Sequence, residues 1–229
     1  LSFAGDNVKV EADGQYDLTG LETYLPAPLQ KSFGEGWQFR FSLNGQNDDY
    51  AITGSIDDRA NFEGEWQLDN AGWQKATLTV GNDSEADDIG RGFAVLAQLD
   101  EADIGRWYSL IYALAGGESS SESASSANNP WLPDSIHVST PNLKWAEQSF
   151  GAADVRSWPE QNKWQVQVNS DKAVLNVGVP KEFMSEGIDV RADYLVLSTD
   201  IELPDSEGDD ESKWNWLGKV PPVTVNCRS

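Results

Sequence analysis

Gln38-Phe39-Arg40-Phe41-Ser42-Leu43-Asn44-Gly45-Gln46-Asn47-Asp48-Asp49-Tyr50-Ala51-Ile52 is the stretch that decides the fold. Phe39, Phe41 and Leu43 alternate with Gln38, Arg40 and Ser42; a polar turn follows, and Tyr50 and Ile52 resume the alternation. Successive side chains of a strand point to opposite faces, so this is a hairpin with one apolar and one wet face. The same rhythm runs outward in both directions. Upstream, Val8, Val10 and Ala12 alternate with Lys9 and Glu11. Downstream, Phe62, Trp66 and Leu68 alternate with Glu63, Glu65 and Gln67, then Ala76, Leu78 and Val80 with Lys75, Thr77 and Thr79. Phe93, Val95, Ala97 and Leu99 continue it. In the second half Ile136 and Val138 flank His137, Trp164, Val166 and Val168 alternate with Gln165, Gln167 and Asn169, and Leu175, Val177 and Val179 follow. Residues 194–201 and 223–227 read as two last strands. Turn residues recur about every ten residues, which favours an all-β antiparallel twisted meander over βαβ units.

One segment breaks the rhythm. From Asp100 to Leu114, Ile104, Trp107, Leu110, Ile111 and Leu114 fall at helical spacing, with Asp100 as N-cap, acids in the first turn and Gly116-Gly117 as the stop. We expect one short amphipathic helix packed against the sheet or plugging one end of it. Residues 118–129 are Ser-rich and carry no large apolar side chain, as a flexible loop would. They divide the chain into 1–117, a β-meander with the helix, and 130–229, its continuation, with one continuous elongated sheet the expected result. Trp37-Gln-Phe-Arg-Phe echoes Trp164-Gln-Val-Gln-Val, and Trp66-Gln and Trp73-Gln echo both, which hints at a repeated hairpin unit.

Composition narrows the function. The 229 residues carry a net charge of −22, with 38 acids against 16 bases, which repels phosphate backbones and anionic head groups alike. Nucleic acid is therefore not expected as a partner. No run of about 20 apolar residues is present, so no transmembrane segment is expected. No signal peptide opens the chain, and from Leu1 we expect it to be a section of a longer protein. A single histidine, His137, rules out His clusters, no motif around it marks a Ser-His-Asp set, and its alternation places it on the wet face or a rim. One cysteine, Cys227, makes no internal disulfide and no zinc site; it is either an isolated strand thiol or half of a pair completed outside the chain. The acids from Asp205 to Glu211 lack the spacing of a calcium cage and read as a solvated loop. No phosphate loop or nucleophile elbow occurs. We expect no enzyme, no metal and no cofactor. Of the ten tryptophans, Trp37, Trp66 and Trp164 fall in register with apolar strand residues and are expected to be buried. Trp131, Trp158, Trp214 and Trp216 stand near loops or strand starts, the better candidates for a rim or ligand surface.

Two stretches carry a family likeness. Gly20-Leu-Glu-Thr-Tyr-Leu-Pro-Ala-Pro-Leu-Gln-Lys31, between a strand beginning Phe3-Ala-Gly-Asp and Gly36-Trp-Gln-Phe-Arg-Phe, resembles the Leu-Pro-x-Pro-Leu-x-Lys turn of the YhdP-type, AsmA-like envelope family. The order of elements from Pro133 to Lys181, through Leu143-Lys-Trp, Phe150-Gly-Ala-Ala-Asp-Val and Trp164-Gln-Val-Gln-Val-Asn-Ser, is similar to the family's repeated hairpin unit, and Leu99-Asp-Glu-Ala-Asp-Ile-Gly-Arg-Trp107 resembles its step into a short helix. The resemblance implies a periplasmic section of a protein anchored in the inner membrane, its sheet curled into a trough or half-barrel. It further implies that the apolar lining carries phospholipid acyl chains between inner and outer membranes, flanked by neighbouring segments of the same parent chain. Phe39, Phe41, Leu43, Tyr50, Ile52, Phe93 and Val95 would line such a groove, with Trp107 and Leu110 capping an end. The alternative, a secreted carbohydrate-binding β-sandwich, rests on the abundant Trp and the acidity, and requires two packed sheets and exposed Trp in a row.

Overall fold

The computed structural model describes residues 2–4, 7–69, 71–81, 91–107, 130, 132–145, 148–180, 183–197 and 223–227. Its strands are β1 (Ser2–Ala4), β2 (Asn7–Asp17), β3 (Gln38–Gln46), β4 (Asp49–Ile56), β5 (Ala60–Gln67), β6 (Gly72–Gly81), β7 (Gly92–Gln98), β8 (Ala102–Asp103), β9 (Ser135–Trp145), β10 (Gln148–Glu160), β11 (Lys163–Ser170), β12 (Ala173–Pro180), β13 (Ile188–Leu195) and β14 (Val223–Cys227), with one short helix, α1 (Phe183–Glu186). Thirteen strands form a single ladder from β1 to β14, and β8 pairs with β9 beside the end of β7. The sheet is not closed into a barrel.

The ladder is mixed. Most neighbours are antiparallel, but β6–β7, β7–β9, β8–β9 and β13–β14 are parallel. A parallel step needs a long crossover where an antiparallel one needs only a tight turn. Each parallel step falls at a long connection, 82–91, 104–134 or 196–222, while the long connection 18–37 joins antiparallel neighbours. The β7–β9 pairing joins the strands on either side of residues 118–129 in one sheet.

Two expected boundaries move, and one strand had no expected boundary. The first is the cap at Asp100: Ala102–Asp103 is strand, Ala102 is buried, and helical structure begins at residue 104. Asp103 is the cap, its Oδ1 accepting the Gly105 and Arg106 N–H groups at 2.9 and 3.3 Å. Residues 108–117, with Leu110, lie outside the described residues. The second is the strand expected from Tyr194: β13 instead starts at Ile188, and Ile188, Val190 and Ala192 alternate with Asp189, Arg191 and Asp193 in the ordinary period of two. The strand without one is β10, whose alternation is interrupted where its pairing with β9 shifts register between Ser149 and Ala153. Gly151 takes φ +75° in that bulge, a conformation side chains disfavour.

The ladder register fixes the two faces, since directly paired residues share a face. Ala12 pairs with Leu43, Leu43 with Ile52, Ile52 with Gly64, and Gly64 with Ala76. Leu78 pairs with Val95, Val95 with Ile136, Val138 with Val155, and Val155 with Val168. Val168 pairs with Leu175, Val177 with Val190, and Val190 with Val225. One face is thus apolar from β2 to β14. The other carries Glu11, Asp13, Arg40, Glu63, Glu65, Lys75, Arg156, Gln167 and Arg191.

Glycines let rings lie down on the apolar face. A Cβ on Gly45 would sit 2.5 Å from the Tyr50 ring, one on Gly64 would sit 2.6 Å from the Trp73 ring, and one on Gly14 would strike Phe41. Gly64→Val is expected to destabilise the fold by about 1–3 kcal/mol through forced displacement of Trp73. A thermal melt within error of the parent would mean that Trp73 swings aside without cost.

Candidate functional site

A cluster of buried side chains gathers at one end of the apolar face. Val80, Ala97, Leu99, Ala102, Leu143, Phe150, Ala153, Val168 and Ala173 form one cluster, with Leu29, Trp107 and Val138 packed against it. They come from the C-terminal ends of β6, β7, β9 and β11 and the N-terminal ends of β10 and β12, which the ladder places along one margin. Away from that margin the apolar face is mostly partly buried, with Ala76, Phe93 and Ala192 buried among its residues. Among the described residues no second sheet lies over it. Near its edges it is open: Tyr16 is 58% exposed, Val223 51% and Val225 53%.

The expected lining residues Phe39, Phe41, Leu43, Tyr50, Ile52, Phe93 and Val95 all fall on this face by register. Phe41 stacks between Tyr16 and Phe39, with ring centroids at 6.3 and 6.1 Å. Towards the margin opposite the buried cluster the rings turn edge to face: Phe62 meets Trp73 at 5.2 Å and Phe93 at 6.2 Å, and Trp66 meets Trp73 at 4.9 Å. Trp107 packs against the buried cluster at the other margin, away from these rings. Leu110 is outside the described residues. Of the tryptophans expected to be buried, Trp37 is buried and Trp66 and Trp164 are partly so. Trp158 is 40% exposed but points to the wet face, opposite Gln165.

The wet face holds the sole histidine. His137 Nε2 contacts Asp154 Oδ2, and Arg156 pairs with Asp154 Oδ1 at 3.1 Å. Near this group a cleft of about 500 Å³ opens beside the β10 bulge, lined by Gln98, Ser139, Asp154, Asn169 and Asp171 among others. Its Asp171 is engaged in structure, accepting the Ala152 N–H at 2.9 Å. No group of three or more metal-binding side chains occurs among the described residues.

Between β2 and β3, residues 18–37 fold over the margin that holds the buried cluster. Lys31, 2% exposed, donates from Nζ to the Leu21 and Ser32 carbonyls at 2.6 and 3.2 Å. Its partners are main-chain oxygens, which no motif in the sequence announces. Glu35 accepts the Trp37 indole N–H at 2.9 Å and the Ser32 N–H at 3.2 Å. These donors, the indole first, hold its carboxyl below the usual carboxylate range, with Arg59 and Lys31 adding by charge against the opposing effect of burial. A carboxyl lowered in the folded state contributes fully above its unfolded value and loses that contribution as pH falls through the lowered one. The Trp37 indole N–H resonance is therefore expected to hold its position until the pH drops below the ordinary carboxylate range, then shift; Glu35→Gln should remove that titration. An indole resonance that titrates identically in the variant would show that Glu35 is not its controlling partner.

The fold defines a class: an open, mixed β-sheet whose one face is apolar across the whole ladder and whose other face holds charged and polar residues, with Ala94 and Leu96 buried in its middle. The family model described as YhdP protein matches residues 1–229, the entire chain, and the chain belongs to the YhdP family. This is a family of AsmA-like bacterial envelope proteins with no known enzymatic activity. No curated protein and no solved structure matches the chain. No helix among the described residues is long and apolar enough to cross a membrane.

Proposed function

We propose that the apolar face holds phospholipid acyl chains, and that this section of a periplasmic, inner-membrane-anchored protein contributes a length of the path by which phospholipid passes between the two membranes. The observation that carries this is the unbroken apolar face on a single sheet, partly buried and with no second sheet over it among the described residues. Large exposed apolar surface on a protein of this kind calls for an occupant. Each methylene it buries stabilises the bound state by about 0.8 kcal/mol, so a chain can be held without a charged contact or a catalytic group. Family membership supports the same function. A carbohydrate-binding sandwich is less well supported, since it needs a second packed sheet and a row of exposed Trp, whereas Trp145 and Trp158 lie on opposite faces.

Native mass spectrometry of the purified chain followed by lipid extraction tests the proposal. Phospholipid at near-stoichiometric amounts is the expected result. Its absence after reloading from phospholipid vesicles, together with binding on a glycan array, would move the function to sugar recognition.

A further inference from the structure

We propose that residues 18–37 are an end-stop for the bound acyl chain and that Arg59 is the positioning residue that holds them there. This rests on the acyl-chain function above and adds what limits the chain that fits. The segment leaves β2, crosses the margin and returns to β3. It reaches far across the sheet: Tyr24, Leu25, Pro26 and Gln30 share a cleft of about 380 Å³ with Arg106, which follows β8. From β3 to the line of β7 and β8 is four strand spacings, about 19 Å. Leu29 packs onto the buried cluster from the apolar side, so the segment covers the end of the apolar face and not the wet one.

Arg59, in the β4–β5 turn, is the sheet's principal hold on it. Its guanidinium lies 4.3 Å from the centroid of the Trp37 ring, donates to the Pro28 carbonyl at 3.2 Å and stands 3.6 Å from Glu35. One planar cation thus joins three points of the segment to the sheet, which a lysine could not reproduce. The other margin, with Tyr50, Trp66 and Trp73, has no such cover among the described residues. From Tyr50 to Ile56 the face runs about 20 Å along β4. One leaflet of a bilayer is about 15 Å of hydrocarbon, so a tail lying along the strands fits this depth and ends against the segment.

The test uses the whole chain and compares it with Arg59→Gln, Arg59→Lys and Leu29→Ser. Hydrogen exchange is measured across residues 18–37. Bound lipid is profiled after loading from an equal mixture of phosphatidylethanolamines with myristoyl, palmitoyl, stearoyl and arachidoyl chains. Arg59→Gln is expected to speed exchange in 18–37 by about tenfold while β9–β12 keep their protection. It should also shift the bound profile severalfold towards the longer chains; Arg59→Lys should behave like Arg59→Gln. Leu29→Ser, which leaves Arg59 intact, should shift the profile the same way. Unchanged exchange in both Arg59 variants overturns Arg59 as the hold. Faster exchange with an unchanged lipid profile overturns the end-stop. Faster exchange with no lipid bound by the parent protein overturns the acyl-chain function, and the end-stop with it, while the hold of Arg59 on the segment stands.

Discussion

Phe150→Ala is expected to lower stability by about 3–5 kcal/mol, the usual range for deleting a fully buried ring. Phe150 is 5% exposed and stands in the buried cluster where β10 begins. Its neighbours come from β6 to β12, so the void would be shared by strands from both halves of the chain, and a bulged strand start has little freedom to collapse into it. The effect should appear as a lower urea midpoint at unchanged slope. Phe41→Ala, on the partly buried part of the apolar face, should cost less than half as much, because that ring keeps solvent access in the starting structure. Equal losses at the two positions would mean that stability is spread evenly over the face, and a loss under about 1 kcal/mol at Phe150 would remove the cluster as the main core.

Ile52→Asp is expected to reduce bound phospholipid about tenfold or more while the sheet still folds. Ile52 is partly buried in the middle of β4, paired with Leu43 and Gly64, so a carboxylate there stands against any chain lying on the face. Losing about two methylenes' worth of contact already costs about 1.6 kcal/mol, slightly more than a tenfold change in affinity. Thr53→Asp is the control: the next residue, exposed, on the opposite face. It adds the same charge to the same strand, so it should leave bound lipid unchanged. Similar losses in both variants would trace the effect to net charge and not to the apolar face, and no loss in either would place the lipid elsewhere.

Much of the fold was legible because a strand's period of two is a local signal. The face carrying Phe39, Phe41, Leu43, Tyr50, Ile52, Phe93 and Val95 could be read from alternation alone, and the ladder brings those residues together. Which strands pair was not legible. The parallel steps β6–β7, β7–β9 and β13–β14 depend on where long connections return the chain, and alternation is blind to direction. β10 was obscured by its bulge and by small residues. Lys31 was visible only as part of a family motif, because its partners are backbone carbonyls. Arg59 gave no signal, since its contacts join segments some 22 to 31 residues apart in the chain, as with Pro28.

The continuous register has a consequence for how such a chain can change length over evolution. Inserting one residue inside a strand turns every later side chain of that strand to the other face. In β4 this would put Thr53 and Ser55 among the rings and send Ile52 and Ile56 into water, and neighbours paired on both sides would have to follow or break. A residue gained in a turn leaves the alternation within each strand intact, but in the tight turns at 47–48 and 161–162 loop length sets the pairing register, and the turns at 57–59 and 171–172 carry Arg59 and Asp171. Gains and losses of residues should therefore be tolerated best in the connections 82–91, 104–134 and 196–222 and purged from the strands, so that the ladder keeps its phase while those loops drift.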